Sequence, residues 1–106
     1  PIGKNQGLQW YLADMATRTE AAKALILEAA VAADNGQPLS KLAAMCKYYA
    51  SENAVWVTNK ALQIHGGYGY MRDYPIERMY RDARIVPIYE GTSEVQKMVI
   101  AREVMK

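Results

Sequence analysis

Between Leu8 and Ala33 the apolar and small residues Leu8, Leu12, Met15, Thr19, Ala22, Ile26, Ala29 and Ala33 recur in alternating steps of four and three. No β-strand presents that spacing on one face, whereas an α-helix at 3.6 residues per turn lines it up as a continuous seam. Arg18, Glu20, Lys23 and Glu28 fall off the seam, so the segment reads as one long amphipathic helix that needs other helices to cover it.

The rest of the chain supplies them. Asn35-Gly36-Gln37-Pro38 ends the first helix, with Gly36 suited to a left-handed cap and Pro38 unable to continue. Ser40 is a candidate N-cap for a second helix, whose stripe runs Leu42, Cys46, Tyr49, Asn53, Trp56/Val57 and Lys60/Ala61. Gly66-Gly67-Tyr68-Gly69-Tyr70 is too glycine-rich to continue that helix. Pro75 suits a first helical turn, followed by Ile76, Met79, Tyr80, Ala83 and Val86 up to Pro87. Ser93 and Gln96 resemble a capping box for a last helix carrying Val95, Met98, Val99 and Met105. The spacing predicts one all-α domain over residues 1–106, a four-helix up-down bundle. Alanine and methionine are plentiful, and tyrosine occurs eight times where phenylalanine is absent, which suits helices packed closely through small side chains.

Several function classes are disfavoured. A net charge of +2, with basic residues interleaved among acidic ones as in Arg72-Asp73 and Arg81-Asp82, forms no stripe for nucleic acid or an anionic membrane. No apolar run is long enough to span a bilayer. One cysteine, Cys46, allows no internal disulfide. His65 has no second histidine or nearby cysteine, so no metal site is expected. The opening Pro1-Ile2-Gly3-Lys4 has neither initiator Met nor an apolar signal core, which predicts a segment cut from a longer protein.

Two segments exceed what a purely structural bundle needs. Gln63-Ile64-His65-Gly66-Gly67-Tyr68-Gly69 could bring backbone N–H groups close to a ligand, or could be a wide interhelical turn. Ile88-Tyr89-Glu90-Gly91-Thr92-Ser93-Glu94 sets a carboxylate just before a helix start, where free N–H groups favour negative charge. Alone, Glu90 reads as a solvated loop acid; against a cofactor, desolvation would raise its pKa toward that of a working base.

Taken in order, Gln-Ile-His-Gly-Gly-Tyr-Gly, Tyr-Pro-Ile-Glu-Arg, Tyr-Arg-Asp-Ala-Arg and Ile-Tyr-Glu-Gly-Thr-Ser-Glu-Val-Gln resemble the C-terminal domain of acyl-CoA dehydrogenases. Pro1 to Gln6 and Leu12-Ala13-Asp14-Met15 resemble the start of that domain, so the likeness covers essentially the whole chain. It implies an enzyme with additional N-terminal helical and middle β domains, FAD as cofactor, an acyl-CoA substrate, electron-transferring flavoprotein as redox partner and a homotetramer. The location it implies is bacterial cytoplasm or mitochondrial matrix.

By the resemblance, Glu90 is the base that removes the α-proton while the β-hydrogen leaves as hydride, giving the trans-2-enoyl-CoA. The Glu90 N–H would help hold the thioester oxygen, and Gly91 would lie against bound acyl-CoA. Gln63, Ile64, His65, Gly66 and Gly67 would contact FAD, mostly that of a neighbouring subunit, and Gln6, Thr92, Ser93 and Glu94 would add further contacts. Asn5 and Pro87 depart from the family's common pattern. A short straight acyl chain such as butyryl is the implied substrate, and the isolated chain is expected to be helical but inactive. The competing readings are a free-standing helical interaction module and an acyl-CoA oxidase using oxygen; Glu90 speaks against the nitroalkane branch, whose base is an aspartate.

Overall fold

A computed structural model describes all residues, 1–106, and contains helices and turns with no strand. A short 3₁₀ turn at Ile2–Lys4 leads into α1 (Gln6–Asp34), followed by α2 (Ser40–His65), α3 (Ile76–Ala83) and α4 (Ser93–Val104). The all-α, four-helix architecture expected from the spacing is therefore present. Its packing is centred on α2, which touches each of the other three helices, while those three make no close backbone approach to one another. The molecule is elongated, 50 × 26 × 25 Å, along the direction of its two long helices.

α1 and α2 run antiparallel. Tyr11 faces Lys60, Arg18 faces Asn53 and Leu25 faces Cys46, so the two helices advance in step. The residues of α1 turned toward α2 are Leu8, Tyr11, Met15, Arg18, Ala22, Leu25, Ala29 and Ala32. The expected seam shared Leu8, Met15, Ala22 and Ala29 with this face but took the wrong neighbour at every second step. Leu12 and Ile26 are exposed, and Arg18, expected off the seam, lays its guanidinium 4.0 Å from the centre of the Trp56 ring. The physical reason is that α1 is apolar on more than one side. Trp10, Leu27 and Val31, 63%, 66% and 58% exposed, form a second apolar surface that nothing in this chain covers.

The helix ends also differ in detail from their sequence signals. Gly36 does take a positive φ of 67° after α1. Ser40, however, is the first residue of α2 and makes no capping hydrogen bond. The cap of α4 is Thr92, whose Oγ1 accepts from the Val95 N–H at 3.2 Å, so Ser93 and Gln96 form no capping box. α3 stops at Ala83, and Arg84 to Ile88 continue as turns rather than as helix up to Pro87. On α4 the inward residues are Gln96, Val99, Ile100 and Glu103; of the expected stripe only Val99 faces α2, while Val95, Met98 and Met105 are exposed. Only nine residues of the chain are buried and no large side chain is fully enclosed, so much of its apolar surface is exposed. No helix is long and apolar enough to cross a membrane.

Candidate functional site

The segment Arg84–Thr92 joins α3 to α4 and carries Glu90 at its far end. Two consecutive residues, Glu90 at φ 53° and Gly91 at φ 90°, take left-handed backbone conformations. Glycine adopts that region freely; a glutamate there costs about 1–2 kcal/mol and persists only when its surroundings impose it. Those surroundings are visible. Lys47, on α2, donates from Nζ to the carbonyls of Val86, Tyr89 and Gly91 at 2.6, 2.9 and 2.7 Å. All three ammonium hydrogens are thereby used, and two of the acceptors flank Glu90 directly.

The start of α4 is tied to the same stretch of α2. Ser93 is buried; its Oγ donates to Glu52 Oε1 at 2.6 Å and its N–H donates to the Pro87 carbonyl at 3.0 Å. Gln96 reaches back so that its amide nitrogen donates to the Gly91 carbonyl at 3.4 Å. Glu90 itself is exposed, its carboxylate in no ion pair or hydrogen bond and its N–H without an acceptor in the chain. Thr92, Ser93 and Glu94 line one cleft of about 260 Å³ together with Glu52, Val55, Arg84, Pro87 and Ile88. Thr92 keeps its hydroxyl hydrogen available, because Oγ1 only accepts in the cap.

The second group of sequence-predicted residues lies at the other end of α2. Gln63, His65, Gly66 and Gly67 are exposed and Ile64 is half-buried. The His65 ring pairs with the Ala61 carbonyl through Nδ1 at 2.7 Å, which in the neutral ring puts the proton on Nδ1 and leaves Nε2 as an outward acceptor. Gly66–Tyr70 coils into a 3₁₀ turn, so the glycine-rich stretch breaks the α-helix without becoming extended. A Cβ on Gly67 would meet nothing within 4 Å, whereas one on Gly69 would lie 2.7 Å from the Leu62 carbonyl oxygen. The antiparallel register of α1 and α2 sets Gln6 level with His65. Lys47, beneath Glu90, and His65 are about 27 Å apart along α2 at 1.5 Å per residue. The predicted residues therefore form two clusters, not one.

The largest surface cleft, lined by Leu62, Gly69, Tyr70, Arg72, Tyr80 and Arg81 among others, includes none of the predicted site residues. Sequence reasoning missed Lys47 and Glu52, and it named Gly69 only as part of the glycine-rich segment. A signal for Lys47 did exist: it is the only charged residue between Leu42 and Ala50.

The profile of the "Acyl-CoA dehydrogenase, C-terminal domain" family matches residues 1–105. The chain is 69% identical over its full length to the acryloyl-CoA reductase (NADH) of Anaerotignum propionicum, covering 27% of that protein. It is 52% identical over 99% of its length to the CarC subunit of the caffeyl-CoA reductase–Etf complex of Acetobacterium woodii, covering 28% of it. Its structure superposes on butyryl-CoA dehydrogenase from Megasphaera elsdenii with a TM-score of 0.97 at 45% identity, covering all of this chain and 28% of the other. The chain thus spans little more than a quarter of the length of these relatives.

Proposed function

The chain belongs to the acyl-CoA dehydrogenase family, and from that premise we propose that it supplies the proton-transferring part of a flavin-dependent reaction on an acyl-CoA thioester. The observation that carries this reading is the state of Glu90. Its carboxylate is unpaired, its N–H is free, and its backbone is held in a conformation that glutamate does not choose by itself.

In this reading the Glu90 carboxylate accepts the α-proton of the thioester, and its own N–H donates to the thioester oxygen as negative charge develops there. Gly91 would lie beside the acyl group, and its missing side chain leaves room for the Gln96 amide that packs against it. When bound, FAD supplies the acceptor for the β-hydrogen. The residues present fit such a group. Gly67 leaves space for close approach, His65 presents Nε2 outward, and Thr92 has a hydroxyl hydrogen to donate. We assign Gln6, Gln63, Ile64, His65, Gly66 and Gly67 to one FAD contact surface and Thr92 and Glu94 to another. Ser93 contributes by anchoring the helix start, since its donors are engaged internally. The separation of about 27 Å between the clusters supports two different FAD molecules and so an oligomer in which subunits share sites, for which the family resemblance implies a homotetramer. The uncovered apolar faces of α1 and α4 support further domains and subunits against them.

The acryloyl-CoA reductase and butyryl-CoA dehydrogenase likenesses favour a short acyl chain, and the caffeyl-CoA reductase–Etf complex favours electron-transferring flavoprotein as partner. The acryloyl-CoA reductase relative favours a second direction for the same chemistry, in which Glu90 would return a proton to the α-carbon of an enoyl-CoA while the β-carbon takes hydride from reduced flavin, when bound. The test is Glu90→Gln in the flavin-loaded complete protein. FAD and acyl-CoA binding should persist while flavin reduction slows by at least about 100-fold. Reduction at the unaltered rate would remove the base assignment.

A further inference from the structure

We propose that Lys47 is the positioning residue for Glu90, its ammonium holding the backbone on both sides of the carboxylate-bearing residue. The inference rests on the reading of Glu90 as the proton-transfer group.

Three observations support it. Lys47 is half-buried and has no carboxylate partner, so its only partners within the protein are the carbonyls of Val86, Tyr89 and Gly91. A lysine needed only for solubility or for a surface ion pair would not bury its ammonium against three backbone oxygens. Second, the acceptors are arranged around Glu90. Tyr89 and Gly91 precede and follow it, and turning both their carbonyls toward α2 goes with the left-handed φ of 53° at the residue between. The side chain and N–H of Glu90 are then left free of the body of the domain. Third, Lys47 comes from a different element, 42 residues away from Tyr89 in sequence. The loop position is therefore fixed by the most surrounded helix of the domain in addition to the loop's own turns. Lys47 touches neither substrate nor cofactor in this role; it determines where the carboxylate and the N–H stand.

The test uses the complete flavin-loaded protein with Lys47→Met, Lys47→Gln and Lys47→Arg, and Glu90→Gln alongside. Two readouts are followed: the rate of flavin reduction at saturating acyl-CoA, and amide hydrogen exchange at Tyr89 and Ser93, whose N–H groups bond inside the clamped segment. Lys47→Met should slow reduction by about 100-fold, the scale of a misplaced reacting group, with acyl-CoA affinity within about threefold. Exchange at Tyr89 and Ser93 should accelerate by about tenfold or more. Lys47→Gln keeps two donors and stays interpretable if Lys47→Met does not fold; it should fall between Met and the native residue. Lys47→Arg, retaining the charge and a fork of donors, should recover part of the rate. Glu90→Gln should slow reduction and leave exchange at Tyr89 and Ser93 unaltered.

If Glu90→Gln reduces flavin normally, the base reading falls and the catalytic role of Lys47 falls with it. If Glu90→Gln is impaired while the neutral Lys47 variants keep the native reduction rate or the native exchange, the positioning role is overturned and the base reading stands. Loss confined to acyl-CoA affinity would also overturn it.

Discussion

The segment after α2 and the segment before α4 both interrupt helices with glycine, yet only the second is tied to the domain by charged side chains. Around Glu90, Lys47 holds three carbonyls, Glu52 holds Ser93, and Thr92 caps the outgoing helix. Around Gly66–Tyr70 the restraints are the close approach of Gly69 to Leu62, an edge contact of Tyr74 with His65 and a tilted contact of Tyr74 with Tyr68. Tyr68 and Tyr70 otherwise stand in the open, 62% and 88% exposed. A group that must meet a reacting atom has to be held to a fraction of an ångström before substrate arrives. A surface that only receives a cofactor can be completed by what binds to it. The two segments differ as those two tasks differ.

Glycine substitutions break this comparison most directly. Gly69→Ala places a Cβ against backbone, which cannot move aside as a side-chain tip can, and should cost about 1–3 kcal/mol in urea unfolding followed by circular dichroism. Gly67→Ala, with open space around it, should change stability by less than about 0.5 kcal/mol. The proposed role of Gly67 then requires that this stable variant lose FAD more readily than the parent. A stable Gly69→Ala would mean that the glycine turn is not packed against Leu62. Equal FAD retention in Gly67→Ala would remove that glycine from the cofactor surface.

A smaller effect is expected at the tied segment. Ser93→Ala removes the donor to Glu52 but leaves an exposed carboxylate that water can satisfy, so about 1 kcal/mol should be lost. Unfolding should show the loss, and flavin reduction should stay within a few-fold of the parent because Lys47 still holds Glu90. A reduction rate as low as that of the Lys47 variants would shift the positioning role from Lys47 to Ser93.

What the sequence revealed follows from how local each feature is. The long helices were legible because periodicity and the Gly36 break act within a few residues: the seam expected from Leu8 to Ala33 lies inside α1, Gln6–Asp34. The family likeness placed Glu90 and the Gly66-Gly67 pair on the chain. Which side of α1 is covered was not legible, because Leu12 and Leu27 are as apolar as Leu8 and Leu25 and only the neighbouring helix chooses between them. The cap of α4 was displaced by one residue, since Thr92 and Ser93 are chemically interchangeable as caps until Glu52 engages one of them. The role of Lys47 was not legible for the same reason, although its isolation among uncharged residues marked it. Its partners lie 39 to 44 residues away, and no local pattern contains them.

The smallest expected effect isolates the clamp from the rest of α2. Cys46 precedes Lys47 but points the other way, its Sγ 3.3 Å from the Leu25 carbonyl on α1. Burial pushes its thiol pKa up, with the nearby Glu28 adding to the shift. A raised folded-state pKa stabilises the fold at pH values below the unfolded thiol pKa, and that contribution is lost as pH rises through the folded value. At neutral pH Cys46 should therefore react with iodoacetamide more slowly than a free thiol, its rate still climbing where an ordinary thiol has levelled off. If Lys47→Met loosens only the Glu90 segment, the alkylation rate of Cys46 should be unchanged in that variant. A faster rate would show that removing the ammonium disturbs the α1–α2 seam as well, and any loss of flavin reduction would then reflect a general loosening of α2 and not the release of Glu90.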